Sequence, residues 1–81
     1  MFLEKRLKEF VKKYGIELGT KVKHHYSKEG IYNFRCRVCG DKLNRVPSVL
    51  VKVNGLYLPL CYPCYFQLLS RGYFVEEEEV N

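Results

Sequence analysis

Every cysteine of the 81-residue chain belongs to one of two Cys-x-x-Cys pairs, Cys36/Cys39 and Cys61/Cys64, with twenty-one residues between the pairs. A pair at that spacing can turn both sulfurs toward one point, and two pairs supply the four thiolates that Zn²⁺ takes tetrahedrally at about 2.3 Å. Four thiolates fill the coordination sphere and leave no position for water or substrate, so the metal expected here is a structural cross-link. The same count also suits two disulfides in a secreted chain. Against secretion, Met1-Phe2-Leu3 runs straight into Glu4, Lys5 and Arg6, which predicts neither a signal peptide nor a membrane span. Against disulfides, a bridge between cysteines three apart closes a very small loop and constrains little. Iron on the same four thiolates is the other alternative.

The formal charge is +5, and it is unevenly placed. All fourteen Lys and Arg lie within residues 1–71 against five acidic side chains, a balance of +9, while Glu76 to Glu79 form an acidic run behind them. Four thiolates on one Zn²⁺ carry two net negative charges, which would bring the loaded chain to about +3. Basic residues gather around the first cysteine pair. Lys23, Arg35, Arg37, Lys42, Arg45 and Lys52 are the candidate phosphate contacts, with Lys21 and Lys28 close by in sequence. Tyr26, Tyr32, Tyr57 and Tyr62 would add stacking surfaces wherever they are exposed. Lysines and tyrosines also coat ordinary small proteins, so this reading competes with that of a plain solvated surface.

At this length the chain makes one domain, and a hydrophobic core alone gives only a few kcal/mol of net stability. Metal binding is then folding energy, and chelation is expected to unfold at least Tyr32 to Gly72. Three parts are expected within the single domain: an N-terminal amphipathic helix over 1–15, a four-cysteine zinc domain over 16–75 and an acidic tail over 76–81. In the helix, Leu3, Leu7, Phe10, Val11 and Tyr14 share a face and Gly15 follows the end. The stripe is expected to dock on the zinc domain, with self-association or a partner helix as the alternative.

From residue 16 the period changes to two. Val22 to Tyr26 and Ile31 to Arg35 flank Lys28-Glu29-Gly30, which predicts a hairpin with Tyr26 opposite Tyr32, His24 opposite Phe34 and Val22 opposite Cys36. A second hairpin turns at Asn54-Gly55, a type I′ signal. Pairing 53 with 56 puts Val49, Val51, Val53, Leu56, Leu58 and Leu60 on one face, and Leu50, Lys52, Tyr57 and Pro59 on the other. Pro59 cannot donate to a ladder, so its strand is expected at an edge. Cys61 to Gly72 predicts a short helix with Pro63 in its first turn and Gly72 as its cap; Cys61, Cys64, Tyr65 and Leu68 share its inner face. The second pair of sulfurs then sits where a helix N-terminus presents free N–H groups. Tyr73-Phe74-Val75 could form a short strand, followed by a frayed tail.

A Cys36-x-x-Cys39-Gly40 knuckle, a hairpin over Val49 to Leu60, and Cys61 and Cys64 at the opening of a helix together resemble the treble-clef zinc finger. The resemblance covers Phe34 to Gly72, about half the chain, and the passage from Asn54 to Cys61 is similar to that of ribosomal and TRASH-like fingers. It implies one structural Zn²⁺ on Cys36, Cys39, Cys61 and Cys64, in a small zinc-stabilised α+β fold. That fold runs from the N-terminal helix through a hairpin, the zinc knuckle and a second hairpin to a short C-terminal helix. Rubredoxin-like iron sites also use two such pairs, usually with Gly after both; here only Cys39-Gly40 fits. Treble clefs serve many functions, so the resemblance alone names none.

Nucleases related to endonuclease VII carry catalytic His and Asp between the cysteine pairs. In this chain that interval has no His, and Asp41 is its only acid. His24 and His25 precede the finger, and neighbours on a strand point to opposite faces. The expectation is a non-enzymatic protein with no small-molecule substrate, binding nucleic acid, DNA ahead of RNA, in a regulatory role. The competing class is a protein-interaction adaptor or homodimerising module presenting Leu50, Tyr57 and Pro59. No membrane association is expected. A cytoplasmic location is expected, in a host cell were the chain viral. Abundant Lys, Glu and Tyr with a single Gln are compatible with a thermophilic archaeal or viral source.

Overall fold

The computed structural model describes residues 2–77. The chain begins with helix α1 (Phe2–Lys13) and runs through strands β1 (Thr20–Ser27), β2 (Gly30–Arg35), β3 (Lys42–Asn44), β4 (Ser48–Val53) and β5 (Leu56–Cys61). Helix α2 (Tyr62–Ser70) and strand β6 (Phe74–Glu76) complete it. One sheet has four strands in the order β5-β4-β1-β6, and β2 pairs with β3 in a separate two-stranded ribbon. No helix among the described residues is long and apolar enough to cross a membrane.

The apolar stripe of α1 docks on the protein's own core. Leu7 and Phe10 are buried, and Leu3, Val11 and Tyr14, partly buried, pack against the same cluster. Both helices close the same way. Gly15 and Gly72 take left-handed backbone (φ 63 and 82); Gly15 N–H donates to the Lys12 carbonyl and Ile16 N–H to that of Val11, as Gly72 N–H does to Leu69 and Tyr73 N–H to Leu68. This pair of hydrogen bonds satisfies carbonyls that a helix end leaves unpaired.

The β4–β5 hairpin has the expected register, from Val53 opposite Leu56 to Ser48 opposite Cys61. Asn54 and Gly55 both have positive φ (50 and 80), as a type I′ turn requires. Val49, Val51, Val53, Leu58 and Leu60 are buried, but Leu56, next to the turn, is half exposed. β5 is an edge strand. Pro59 on it is nevertheless buried, so it is no part of an exposed Leu50/Tyr57/Pro59 face: the Arg37 amide donates to its carbonyl at 3.0 Å and the first cysteine turn sits over it.

The expected first hairpin does not form. β1 pairs antiparallel with β4, His24 opposite Val51 and Tyr26 opposite Val49, and parallel with β6 on its other side. Both edges of β1 are thereby taken, and Tyr26/Tyr32, His24/Phe34 and Val22/Cys36 are not cross-strand partners. The alternation along β1 nonetheless holds. Val22 is buried, and the His24 and Tyr26 rings lie against the α2 residues Tyr65 (5.3 Å between centroids) and Tyr62 (5.8 Å). Beside the valines of β4 this face extends one apolar surface, which Tyr32 and Phe34, both exposed on β2, do not join.

β6 runs through Glu76, a residue assigned by its charge to the tail, and the Glu77 amide still donates to the Val22 carbonyl. The remainder of the expected tail, 78–81, lies outside the described residues. Glu76 accepts a 2.9 Å hydrogen bond from the Tyr65 hydroxyl, and His24 Nδ1 lies 3.6 Å from the same oxygen. Burial, and next the bond to Glu76, push the Tyr65 hydroxyl above the ordinary tyrosine pKa. A folded-state value above the unfolded one gives stability that is present below pH about 10 and lost above it. Tyr65→Phe should therefore cost about 1 kcal/mol at neutral pH. In denaturant melts the gap from wild type should close, then reverse, as pH passes about 10; a gap independent of pH would rule out this coupling.

Candidate metal site and the surface around it

The first cysteine pair lies in the tight turn between β2 and β3. Cys36 N–H donates to the Asp41 carbonyl and Gly40 N–H to the Cys36 carbonyl, both at 2.9 Å; Gly40 supplies the positive φ (81) that reverses the chain. The Val38 and Cys39 amides point at Cys36 Sγ, 3.4 and 3.5 Å away. Two guanidinium groups clasp the turn from outside, Arg6 of α1 on the Cys39 carbonyl and Arg35 of β2 on that of Gly40, each at 3.1 Å. Cys61 ends β5 and is also the N-cap of α2; its side chain makes no capping bond and stays directed at the other sulfurs. Cys64 follows in the first turn, buried with Tyr65 and Leu68 on the inner face.

All four Sγ atoms lie within 4.8 Å of one another, and those of Cys39 and Cys61 are 3.7 Å apart. The four cysteines form a group that can hold a metal ion. Their electrostatics show why a cation belongs there. Cys36 is drawn well below the usual thiol range because the Cys61 and Cys64 thiols donate to it. Burial pushes Cys39 up to about 12. Cys61 is raised by its bond to Cys36, and Cys64 by its bonds to Cys36 and Cys61. Four crowded, partly buried sulfurs resist ionising together, and doing so calls for a compensating positive charge.

The basic candidates divide between two surfaces. Arg35, Arg37, Lys42 and Arg45 are exposed on the cysteine turn and the β2–β3 ribbon, where Arg35 pairs with Lys42. Lys23 and Lys52 face each other across β1 and β4 on the solvent side of the larger sheet. Lys52 Nζ lies over the Tyr57 ring (5.5 Å), and Lys23 lies 3.8 Å from Glu77. That exposed ion pair contributes about 0–1 kcal/mol and partly neutralises Lys23 toward any anion. The His24 ring lies beside Tyr65, and both His24 and His25 contribute to a shallow groove with Lys23, Leu50, Lys52 and Tyr57. Tyr26, Tyr32, Tyr57 and Tyr62 are all substantially exposed.

Phe34 and Asn33 are residues that sequence reasoning missed. With Tyr32, Arg35, Lys42 and Asn44 they line a notch of about 190 Å³ on the ribbon. The one available signal was an Asn inside a run of strand formers, since Asn is among the few residues that accept left-handed backbone; Asn33 has φ 64.

No protein-family model matches the chain, and no curated protein or solved structure does either. A functional reading therefore rests on the residues and their geometry.

Proposed function

We propose that Cys36, Cys39, Cys61 and Cys64 hold one structural Zn²⁺ in a treble-clef arrangement, and that the basic and aromatic surface beside it binds nucleic acid without catalysis. A tetrahedral site with Zn–S of about 2.3 Å needs sulfurs about 3.8 Å apart. The Cys39–Cys61 separation of 3.7 Å already meets that. One pair in a turn and the other at a helix N-terminus, with a hairpin between, matches the treble-clef order and differs from the two alike turns of a rubredoxin-like site. Four protein ligands close the site, so the metal supplies cross-linking and no reaction chemistry.

The observation that carries the nucleic-acid reading is the convergence of Arg35 and Lys42 with two exposed aromatic rings, Tyr32 and Phe34, around one notch. Cations contact phosphate and rings take unpaired bases. Affinity should fall steeply with salt, and alanine at Arg35, Arg37, Lys42 and Arg45 together should reduce the log–log salt slope by about 3–4. Titration of the zinc-loaded protein at two salt concentrations tests this. Binding absent at low salt, or a slope that the four substitutions leave unchanged, would refute it.

A protein-interaction module is favoured by a different observation. Tyr26, Tyr62 and Phe66 form a ladder of half-exposed rings, 5.8 and 6.5 Å apart, on the flank of α2. A mass in sedimentation that rises with concentration, and that Phe66→Ser returns to monomer, would support this second reading. A monomer at every concentration would remove its self-association form.

A further inference from the structure

We propose that the nucleic acid is single-stranded and that one unpaired base seats in the notch of the β2–β3 ribbon, stacked on Tyr32 and Phe34, with its neighbouring phosphates on Arg35 and Lys42. The inference rests on the nucleic-acid reading above and adds a strand state and a seat to it.

Exposed rings alone would carry little, because isolated apolar side chains are common on protein surfaces. What distinguishes this place is how the backbone gathers the side chains. In a regular strand, Asn33 and Arg35 would point away from Tyr32 and Phe34. Here the ribbon is bulged: Gly30 pairs with Asn44 and Arg35 with Lys42, so β2 advances five residues while β3 advances two. Within that irregular stretch Asn33 has left-handed backbone, φ 64. As a result Tyr32, Asn33, Phe34 and Arg35, four consecutive residues, all line the same notch. Arg45, next to the notch residue Asn44, is also left-handed (φ 62). Backbone in this sparsely populated region clusters where function demands it.

The lining has the chemistry of one nucleotide. Tyr32 and Phe34, 63% and 45% exposed, offer ring faces; Asn33 and Asn44 offer amide donors and acceptors suited to a base edge; Arg35 and Lys42 offer positive charge. No acidic side chain is among the lining residues. Arg35 is held in place by one bond to the Gly40 carbonyl, and a guanidinium has four further donors for a phosphate. The volume, about 190 Å³, falls below the roughly 300 Å³ at which pockets for drug-sized ligands begin, which suits one base. Bases in a duplex are paired and stacked and cannot enter such a notch, whereas those of a single strand can.

The test uses the zinc-loaded full chain with labelled single-stranded DNA, single-stranded RNA and duplex DNA of one sequence, followed by fluorescence anisotropy at low and moderate salt. Single strands of at least one kind should bind more tightly than duplex. Tyr32→Leu and Phe34→Leu should each weaken single-strand binding about 5- to 150-fold and leave the salt slope unchanged. Tyr57→Leu, on the other sheet, should have no such effect. The wild-type protein gives a readout that needs no variant: 2-aminopurine within the strand should be quenched on binding. Equal affinity for duplex and single strand, wild-type binding by both Leu variants, or no quenching at any position would overturn the base seat. The salt-dependent phosphate reading would survive each of those results. Absence of binding to every nucleic acid at low salt would overturn both.

Discussion

Stripping the metal should unfold the protein, not loosen one loop. An apparent binding free energy of about 10–16 kcal/mol is typical of small structural zinc sites, and a core of this size contributes about 3–5 kcal/mol net. The metal term is the larger by far. Geometry makes the loss general: the two cysteine pairs join the β2–β3 ribbon to the end of β5 and the start of α2. From there Tyr65, Leu68, Val49 and Leu60 continue the core cluster. A chelator in excess should abolish the near-ultraviolet dichroism of the tyrosines and any cooperative thermal transition. Cys36→Ser or Cys64→Ser, both at buried positions, should do the same without chelator. Because loading displaces protons from thiols that burial and mutual bonding hold neutral, metal affinity should fall as pH falls. A metal-free protein that still melts cooperatively within a few degrees of the loaded one would show that the site is not the staple.

Gly30→Ala should be the most damaging single substitution outside the cysteines. Gly30 has φ 94, and a Cβ there would overlap the Leu43 carbonyl oxygen and lie 2.8 Å from both the Arg45 amide nitrogen and the Val46 carbonyl oxygen. All three are backbone atoms, and the Arg45 amide is already held on the Glu29 carbonyl at 2.8 Å, so nothing nearby can swing aside. Backbone strain and forced separation of the ribbon together should cost about 3–5 kcal/mol. Gly15→Ala is the internal control. Its φ is also positive, 63, but a Cβ there meets nothing within 4 Å, so it should cost about 1–2 kcal/mol from the left-handed backbone alone. Denaturant melts at saturating metal would compare the two, and equal costs would contradict the close approach of Gly30 to β3.

That glycine also shows where sequence reasoning stops. Asn54-Gly55 dictated its own turn, and with it every pair of the β4–β5 register, because the information was local: two residues with positive φ between alternating apolar runs. Lys28-Glu29-Gly30 resembled such a turn, but Gly30 serves a close approach to Leu43 in a different strand. Alternation along β1 placed Val22, His24 and Tyr26 on one face correctly, yet alternation does not name the neighbouring strand. That choice is made by the whole sheet: β1 lies beside the buried Val49 and Val51 of β4, while Tyr32 and Phe34 on β2 stay exposed. The cysteine site was legible for the opposite reason: four ligands at fixed spacings need one point in space wherever the strands go. The notch was not legible, since it arises from a register mismatch between β2 and β3 that no residue pattern announces.

The most direct test of the account is X-ray absorption at the zinc edge, with metal content per chain, on protein purified with zinc available and no chelator. One zinc per chain, surrounded by four sulfurs at about 2.3 Å, is the predicted result. A shell containing nitrogen or oxygen, iron as the native metal, or a folded protein with no metal would contradict it.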